Sequence, residues 1–92
     1  MLLRQLEYIL AVEKYQSFTK AADACCVTQP TLSQQIRTLE DYLGVEVFDR
    51  TTLPIEPTRK GKMILDKAVS IVQQAHELEK FAKDLRKEPV LV

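Results

Sequence analysis

Glycine is almost missing from this chain, with only Gly44 and Gly61 among 92 residues, which excludes the glycine-rich loops that cradle phosphates in nucleotide-binding enzymes. Cysteine is limited to the adjacent pair Cys25 and Cys26, a spacing at which an ordinary disulfide is sterically poor, and no other cysteine exists to bridge either. The pair predicts a reducing compartment. The one histidine, His76, stands about 50 residues from the cysteines, so no zinc-ligand spacing is present and no metal or other cofactor is expected. Paired carboxylates and a nucleophile set beside a base are lacking too, so no enzyme is expected. An excess of either charge is also absent: 13 Lys and Arg balance 13 Asp and Glu. That rules out a uniformly basic chromatin-like protein and a uniformly acidic tail, but leaves room for a basic face. The longest apolar runs are a few residues against the roughly 20 needed to cross a bilayer, and the N-terminus carries neither a signal peptide nor a lipidation motif. A soluble intracellular protein without a membrane partner is the expectation.

What is present is ordinary for a globular domain: 46% hydrophobic and 28% charged residues. A chain this short builds a small core, so a long element that outruns that core needs a second copy for cover. Residues 2–14 place Leu2, Leu3, Leu6, Ile9, Leu10 and Val12 at mostly three-and-four spacing, an amphipathic helix. Ser17 is a suitable N-cap for a short second helix over 18–25, in which Phe18, Ala21, Ala22 and Cys25 share one face. After a break at Cys26 and Val27, Thr28 is a good N-cap, and Pro30 is tolerated in a first helical turn. The third helix carries one apolar stripe, Leu32, Ile36, Leu39 and Leu43, and Gly44 is placed to end it.

The other face of that third helix is the most informative surface in the sequence. Pro30, Thr31, Ser33, Gln34, Arg37 and Thr38 fill it without a carboxylate, whereas an ordinary solvated face mixes acids with bases. Gln pairs with adenine, Ser and Thr donate or accept, and Arg takes guanine or a phosphate, so such a face is equipped to read base edges. Two helices joined by a tight turn, the second opening Thr28-Gln29-Pro30, make a helix-turn-helix. The alternating run Val45-Glu46-Val47-Phe48, with Leu53 and Ile55 across a turn around Thr51 and Thr52, predicts a brief hairpin wing that Pro54 and Pro57 keep short. From 50 to 62 the charges are Arg50, Arg59, Lys60 and Lys62 against Glu56. The acids Glu40, Asp41, Glu46 and Asp49 interrupt this basic stretch, and their orientation decides their effect.

In the last third, Ile64, Ala68, Ile71, Ala75, Leu78, Ala82 and Leu85 alternate spacings of four and three, a heptad seam. A helix of about 30 residues is about 45 Å long, more than a domain of this size spans, so its distal half predicts a homodimer. A second stripe, Leu65, Val69 and Val72, is expected to dock on the first helix, and His76 is expected to be solvated or structural. The fold class is therefore mainly α, a winged helix-turn-helix of three helices and a short two-stranded wing over residues 1–57, followed by a long dimerisation helix and the start of a hinge over 58–92.

The order of these elements and the residues themselves resemble the N-terminal DNA-binding domain of LysR-type transcriptional regulators across essentially the whole chain. The likeness is carried by Leu6-Glu7-Tyr8, Ala11-Val12, Ser17-Phe18, Ala21-Ala22 and Val27-Thr28-Gln29-Pro30-Thr31-Leu32-Ser33. It continues through Ile36, Leu39-Glu40, Leu43-Gly44-Val45, Phe48, Arg50, and Thr58 ahead of Gly61. Within the family, Ala21 to Cys25 and the stretch 30–44 look most like the peroxide-responsive OxyR branch. The resemblance implies that the third helix enters the major groove of double-stranded DNA, so that Thr28, Gln29, Pro30, Thr31, Ser33, Gln34 and Arg37 contact bases or phosphates. Arg50, with Thr51 and Thr52, would contact DNA from the wing, and Ser17, Phe18 and Thr19 would approach phosphates at the start of the second helix. Thr58 would do the same at the start of the long helix. It also implies an interrupted palindromic site rich in T and A, a dimer that becomes a tetramer in a full-length protein, and the bacterial cytoplasm.

Three features depart from the family pattern. Thr52, Leu53 and Pro54 stand where a further basic residue and a glycine are common, Glu56 where a neutral or basic residue is usual, and Cys26 at a turn position where His, Asn or Gly is more familiar. Cys25 reads as plain core and Cys26 as a small turn residue. Pro89 would end the long helix and 90–92 reads as the first residues of a strand, so a fragment stopping at the hinge before an effector-sensing domain is expected. With the sensing cysteines of an OxyR-like protein in that missing part, the fragment should bind DNA without responding to an oxidant. The alternative is a winged-helix protein-interaction module that only dimerises.

Overall fold

In the computed structural model, which describes residues 1–88, the elements run α1 (Leu3–Tyr15), α2 (Phe18–Ala24), α3 (Gln29–Leu43), β1 (Phe48–Asp49), β2 (Glu56–Pro57) and α4 (Arg59–Lys87). The expected helix stop at Pro89 and the strand-like 90–92 lie outside the described residues. Local chemistry sets most helix ends. Ser17 Oγ accepts from Lys20 N–H (3.1 Å), Thr28 Oγ1 from Thr31 N–H (3.3 Å) and Thr58 Oγ1 from Gly61 N–H (2.9 Å). Each hydroxyl thus satisfies a donor that has no intrahelical partner. α1 starts differently, with Leu2 N–H donating to Gln5 Oε1 (2.9 Å). Gly44 closes α3 in the left-handed region, at φ +70°.

α1 lies at the centre, packed against α2, α3 and α4. Its Leu6, Ile9 and Val12 join Ala21 and Ala22 of α2, Leu32, Ile36 and Leu39 of α3, and Leu65 and Ala68 of α4 in one core. The two buried alanines of α2, Ala21 and Ala22, leave room for close helix approach. Phe48 and Ile55 reach the same core from the wing. This is a winged helix-turn-helix with a long helix leaving it, and the molecule is accordingly extended, 60 × 25 × 20 Å.

Two expectations need correction. The run 45–48 forms a strand only from Phe48, and its partner is Glu56–Pro57 rather than Leu53 and Ile55, in the antiparallel register Phe48 to Pro57 and Asp49 to Glu56. The cause is competition for donors: Val47 N–H is taken by the buried Glu40 carboxylate (2.7 Å), so it is not free to enter a ladder. Ile55 instead turns into the core, its N–H donating to Gln16 C=O (3.3 Å). On α4, Leu65 and Val72 dock as expected, but Val69 is exposed, while Ala68 of the expected seam is buried and Ile64 half-buried beside it. Gly61 explains the rotation, because a Cβ there would overlap the Val47 carbonyl. The helix rests on its Gly61 and Ala68 side.

Cys26, in the turn between α2 and α3, has φ +59°. An L-residue in that region is strained by about 1–2 kcal/mol, least for Asn and not at all for Gly, which is why those residues suit the position. Its thiol is exposed, whereas Cys25 is half-buried and burial pushes its thiol pKa up. Cys26→Asn should raise the unfolding free energy by about 0.5–1 kcal/mol, or roughly 2–8 °C in Tm, and Cys26→Val should lower it. Thermal melts of the three proteins decide it; an asparagine variant no more stable than the parent would refute the strain.

Candidate nucleic-acid interface

The N-terminal half of α3 is presented outward. Gln29, Pro30, Thr31, Gln34 and Arg37 are exposed, with Ser33 half-buried at the edge. Several polar groups are already paired along the helix: Thr28 Oγ1 donates to Thr31 Oγ1 (2.9 Å), Gln29 Nε2 to Ser33 Oγ (2.7 Å) and Thr38 Oγ1 to Gln34 C=O (2.9 Å). The side chains of Gln34 and Arg37, one helical turn apart, have no hydrogen-bond or ion-pair partner among the described residues. Behind this face, Gln5 Nε2 donates to Gln35 Oε1 (3.0 Å) and ties α3 to α1. That bridge was not foreseen, since two glutamines 30 residues apart give no local signal.

The acids fall elsewhere. Glu40 is 6% exposed, and its two oxygens accept from Val47 N–H (2.7 Å), Phe48 N–H (3.5 Å) and both terminal nitrogens of Arg50 (2.7 and 3.3 Å). Asp41, Glu46 and Asp49 line an open groove of about 640 Å³ between the C-terminal half of α3 and the wing, together with Arg37 and Arg50. Asp49 is further held by Thr51, whose hydroxyl and N–H both donate to it and keep its carboxyl below the usual carboxylate range. Glu40, Glu46 and Asp49 stand off the 29–37 face, and Asp41 follows Arg37 one turn on, on the same side of α3, where both line the groove.

The remaining sequence-predicted residues are largely engaged within the fold. Arg50 pairs with Glu40 through a bidentate fork and stacks over the Phe18 ring (5.3 Å), leaving its side chain 30% exposed. Phe18 in turn meets Phe48 edge-on, with centroids 6.1 Å apart. Ser17 caps α2, next to the exposed Thr19. Thr52 Oγ1 donates to Asp49 C=O (3.3 Å). Thr58 Oγ1 donates to Glu46 C=O while accepting from Gly61, so what the start of α4 can offer an anion is backbone N–H beside Arg59 and Lys60. Glu40, one of the acids expected to interrupt the basic stretch, is in the structure the partner of Arg50.

The chain matches the bacterial regulatory helix-turn-helix proteins of the lysR family over residues 3–62. It belongs to that family. It is 41% identical over 88 residues to the hydrogen peroxide-inducible genes activator of Haemophilus influenzae, covering 96% of this chain and 29% of that one. To the DNA-binding transcriptional dual regulator OxyR of Escherichia coli it is 42% identical over 82 residues, covering 89% of this chain and 27% of that one. Among solved structures, a BenM_DBD/catB site 1 DNA complex superposes with a TM-score of 0.93 at 36% identity, covering 97% of this chain and all of the other. The chain therefore spans less than a third of the curated relatives it matches.

Distally, α4 leaves Ile71, Leu78, Phe81 and Leu85 exposed, Leu78 by 67% and Phe81 by 60%. Ala75 is half-buried and Ala82 exposed. Phe81 was missed because it lies just outside the four-three seam, although it flanks Leu78 and Leu85 on the same side of the helix. No helix among the described residues is long and apolar enough to cross a membrane.

Deleting one partner of a buried ion pair strands the other, so Glu40→Ala and Arg50→Ala should each lower stability by about 2–3 kcal/mol, the low end because Arg50 is partly exposed. The double variant should lose about 1–2 kcal/mol less than the sum. Urea melts of the four proteins measure this, and strictly additive losses would show that the pair does not couple α3 to the wing.

Proposed function

We propose that this chain is the DNA-binding and dimerisation part of a LysR-type transcription regulator, acting on double-stranded DNA in the bacterial cytoplasm. The observation that carries the reading is the acid-free, outward face of α3, on which Gln34 and Arg37 stand unpartnered among the described residues. The structural likeness supports it, since a BenM_DBD/catB site 1 DNA complex matches nearly the whole chain. In this reading α3 lies in the major groove and Gln29, Pro30, Thr31, Ser33, Gln34 and Arg37 make its base and phosphate contacts. Thr28 and Thr31 exchange their mutual hydrogen bond for DNA partners. Ser17, Phe18 and Thr19, the wing residues Arg50, Thr51 and Thr52, and Thr58 approach the sugar-phosphate strands. Residues 1–57 form the reading unit, and 58–92 the dimerisation helix and start of the hinge.

A second copy covers the distal stripe of α4. Within the sequence-derived seam Ile71, Ala75, Leu78, Ala82 and Leu85 face that copy, Phe81 joins them, and Ile64 and Ala68 support the stripe from inside the protomer. Two reading units held this way recognise an interrupted palindrome, T- and A-rich, whose half-sites are spaced by whole helical turns of about 34 Å. The effector-sensing part and any tetramer belong to the larger protein, and this portion binds DNA irrespective of oxidant.

Selection from a random DNA pool at two salt concentrations should enrich such a palindrome. Gln34→Ala and Arg37→Ala should each weaken the selected site by about 1–3 kcal/mol where a bidentate base contact is lost. If the parent enriches nothing yet still dimerises, the protein-interaction alternative replaces this reading. For the dimer, Leu78→Glu with Phe81→Glu should convert the sedimenting species to monomer without lowering the helical circular dichroism of the winged unit. A parent that sediments as a monomer at tens of micromolar would refute the assigned interface.

A further inference from the structure

Leu53 is 92% exposed, more than any other large apolar side chain among the described residues. A lone exposed leucine is ordinary in itself. Its setting is not, because the segment 51–58 contains no cation and Glu56 is its only charge. The flanks of Leu53 are also fixed. Thr51 donates N–H and hydroxyl to the Asp49 carboxylate, Thr52 donates to Asp49 C=O, and two residues further on Ile55 is buried with its N–H on Gln16 C=O. The leucine is therefore an apolar projection between two anchors, with little backbone freedom left to lose on binding.

The wing stands across the groove from Arg37, since Asp49, Arg50 and Thr51 line one side of it and Arg37 and Asp41 the other. With α3 in a major groove about 12 Å wide, the tip of a hairpin placed beside it meets the adjoining minor groove. There an A·T pair shows acceptors only, while a G·C pair adds the guanine N2 amine. Leucine offers that amine no acceptor, and a buried donor without a partner is unfavourable.

We infer that Leu53 is a specificity-determining residue that packs in the minor groove flanking each half-site and selects base pairs lacking the guanine amine. The inference rests on the proposed DNA binding and adds to it a readout by apolar fit, where a wing cation would have read groove potential.

The test uses the duplex recovered by selection, with the pairs flanking each half-site changed in turn to A·T, G·C or inosine·C. Inosine keeps the major-groove edge of guanine and lacks the N2 amine. At the wing-facing pair, G·C should bind about five- to tenfold more weakly than A·T, and inosine·C should return to the A·T value. Leu53→Ser should bind all three alike while keeping the preference that depends on Gln34 and Arg37. Equal weakness of G·C and inosine·C, indifference of the parent at every flanking pair, or discrimination retained in Leu53→Ser would each overturn the assignment while leaving the α3 reading intact. Failure to select any duplex would overturn both.

Discussion

The angle between α3 and the wing is governed by one buried carboxylate. Glu40 sits near the C-terminal end of α3 and gathers the N–H groups of Val47 and Phe48 together with the Arg50 fork. A charge placed there is tolerable only because its lone pairs are filled and its countercharge lies 2.7 Å away. Val47 extends the constraint, since its carbonyl accepts Thr58 N–H (2.9 Å) while its backbone lies against Gly61. Three elements are thereby locked around a single peptide: α3 through Glu40, the wing through Arg50, and α4 through Thr58 and Gly61. Displacing that peptide would disturb the direction of α3, the wing and the departing long helix together.

This arrangement separates what was readable in the sequence from what was not. The helices were readable because their signals are local: Ser17, Thr28 and Thr58 as caps, Gly44 as a stop, and apolar residues at helical spacing. The outward face of α3 was readable for the same reason, as the complement of its apolar stripe. Glu40 was not, because an acid one turn from a helix end looks like a solvated residue until a loop folds over it. The strand register failed as a direct result, since the Glu40 side chain, on the preceding helix, removed a donor from the run 45–48. The stripe on α4 was misjudged by part of a turn because the rotation of that helix is set by Gly61 against Val47, and periodicity cannot reveal a backbone contact. Cys26 was noticed only as unusual for its family. Its positive φ supplies the reason.

Charge is distributed economically in a chain whose net charge is zero. Glu40 is neutralised by Arg50, Asp49 is held by Thr51, and Asp41 and Glu46 border a groove beside the wing. The face left free on α3 carries hydrogen-bonding groups and a single Arg. In the proposed complex such a surface would read by geometry more than by long-range attraction, and the acids beside it would disfavour registers that push a phosphate strand into the groove.

In the proposed complex, the scarcity of cations on the outward face of α3 also gives the long helix a part in recognition. The favourable free energy of nonspecific binding comes from neutralised phosphates, and a protomer offering few cations neutralises few of them. It follows that in the proposed dimer much of the affinity must arise from engaging two half-sites at once, where the second contact forms at the effective concentration set by the first. That gain requires a stiff connection, because a flexible one would spread the second unit over many positions. A continuous 29-residue helix whose proximal turns are buried in the winged core supplies that stiffness. The burial of Gly61, Leu65 and Ala68 inside the protomer, which removes Ala68 from the outer seam, is thus what would make the distal stripe a fixed arm and the half-site spacing a property of the fold.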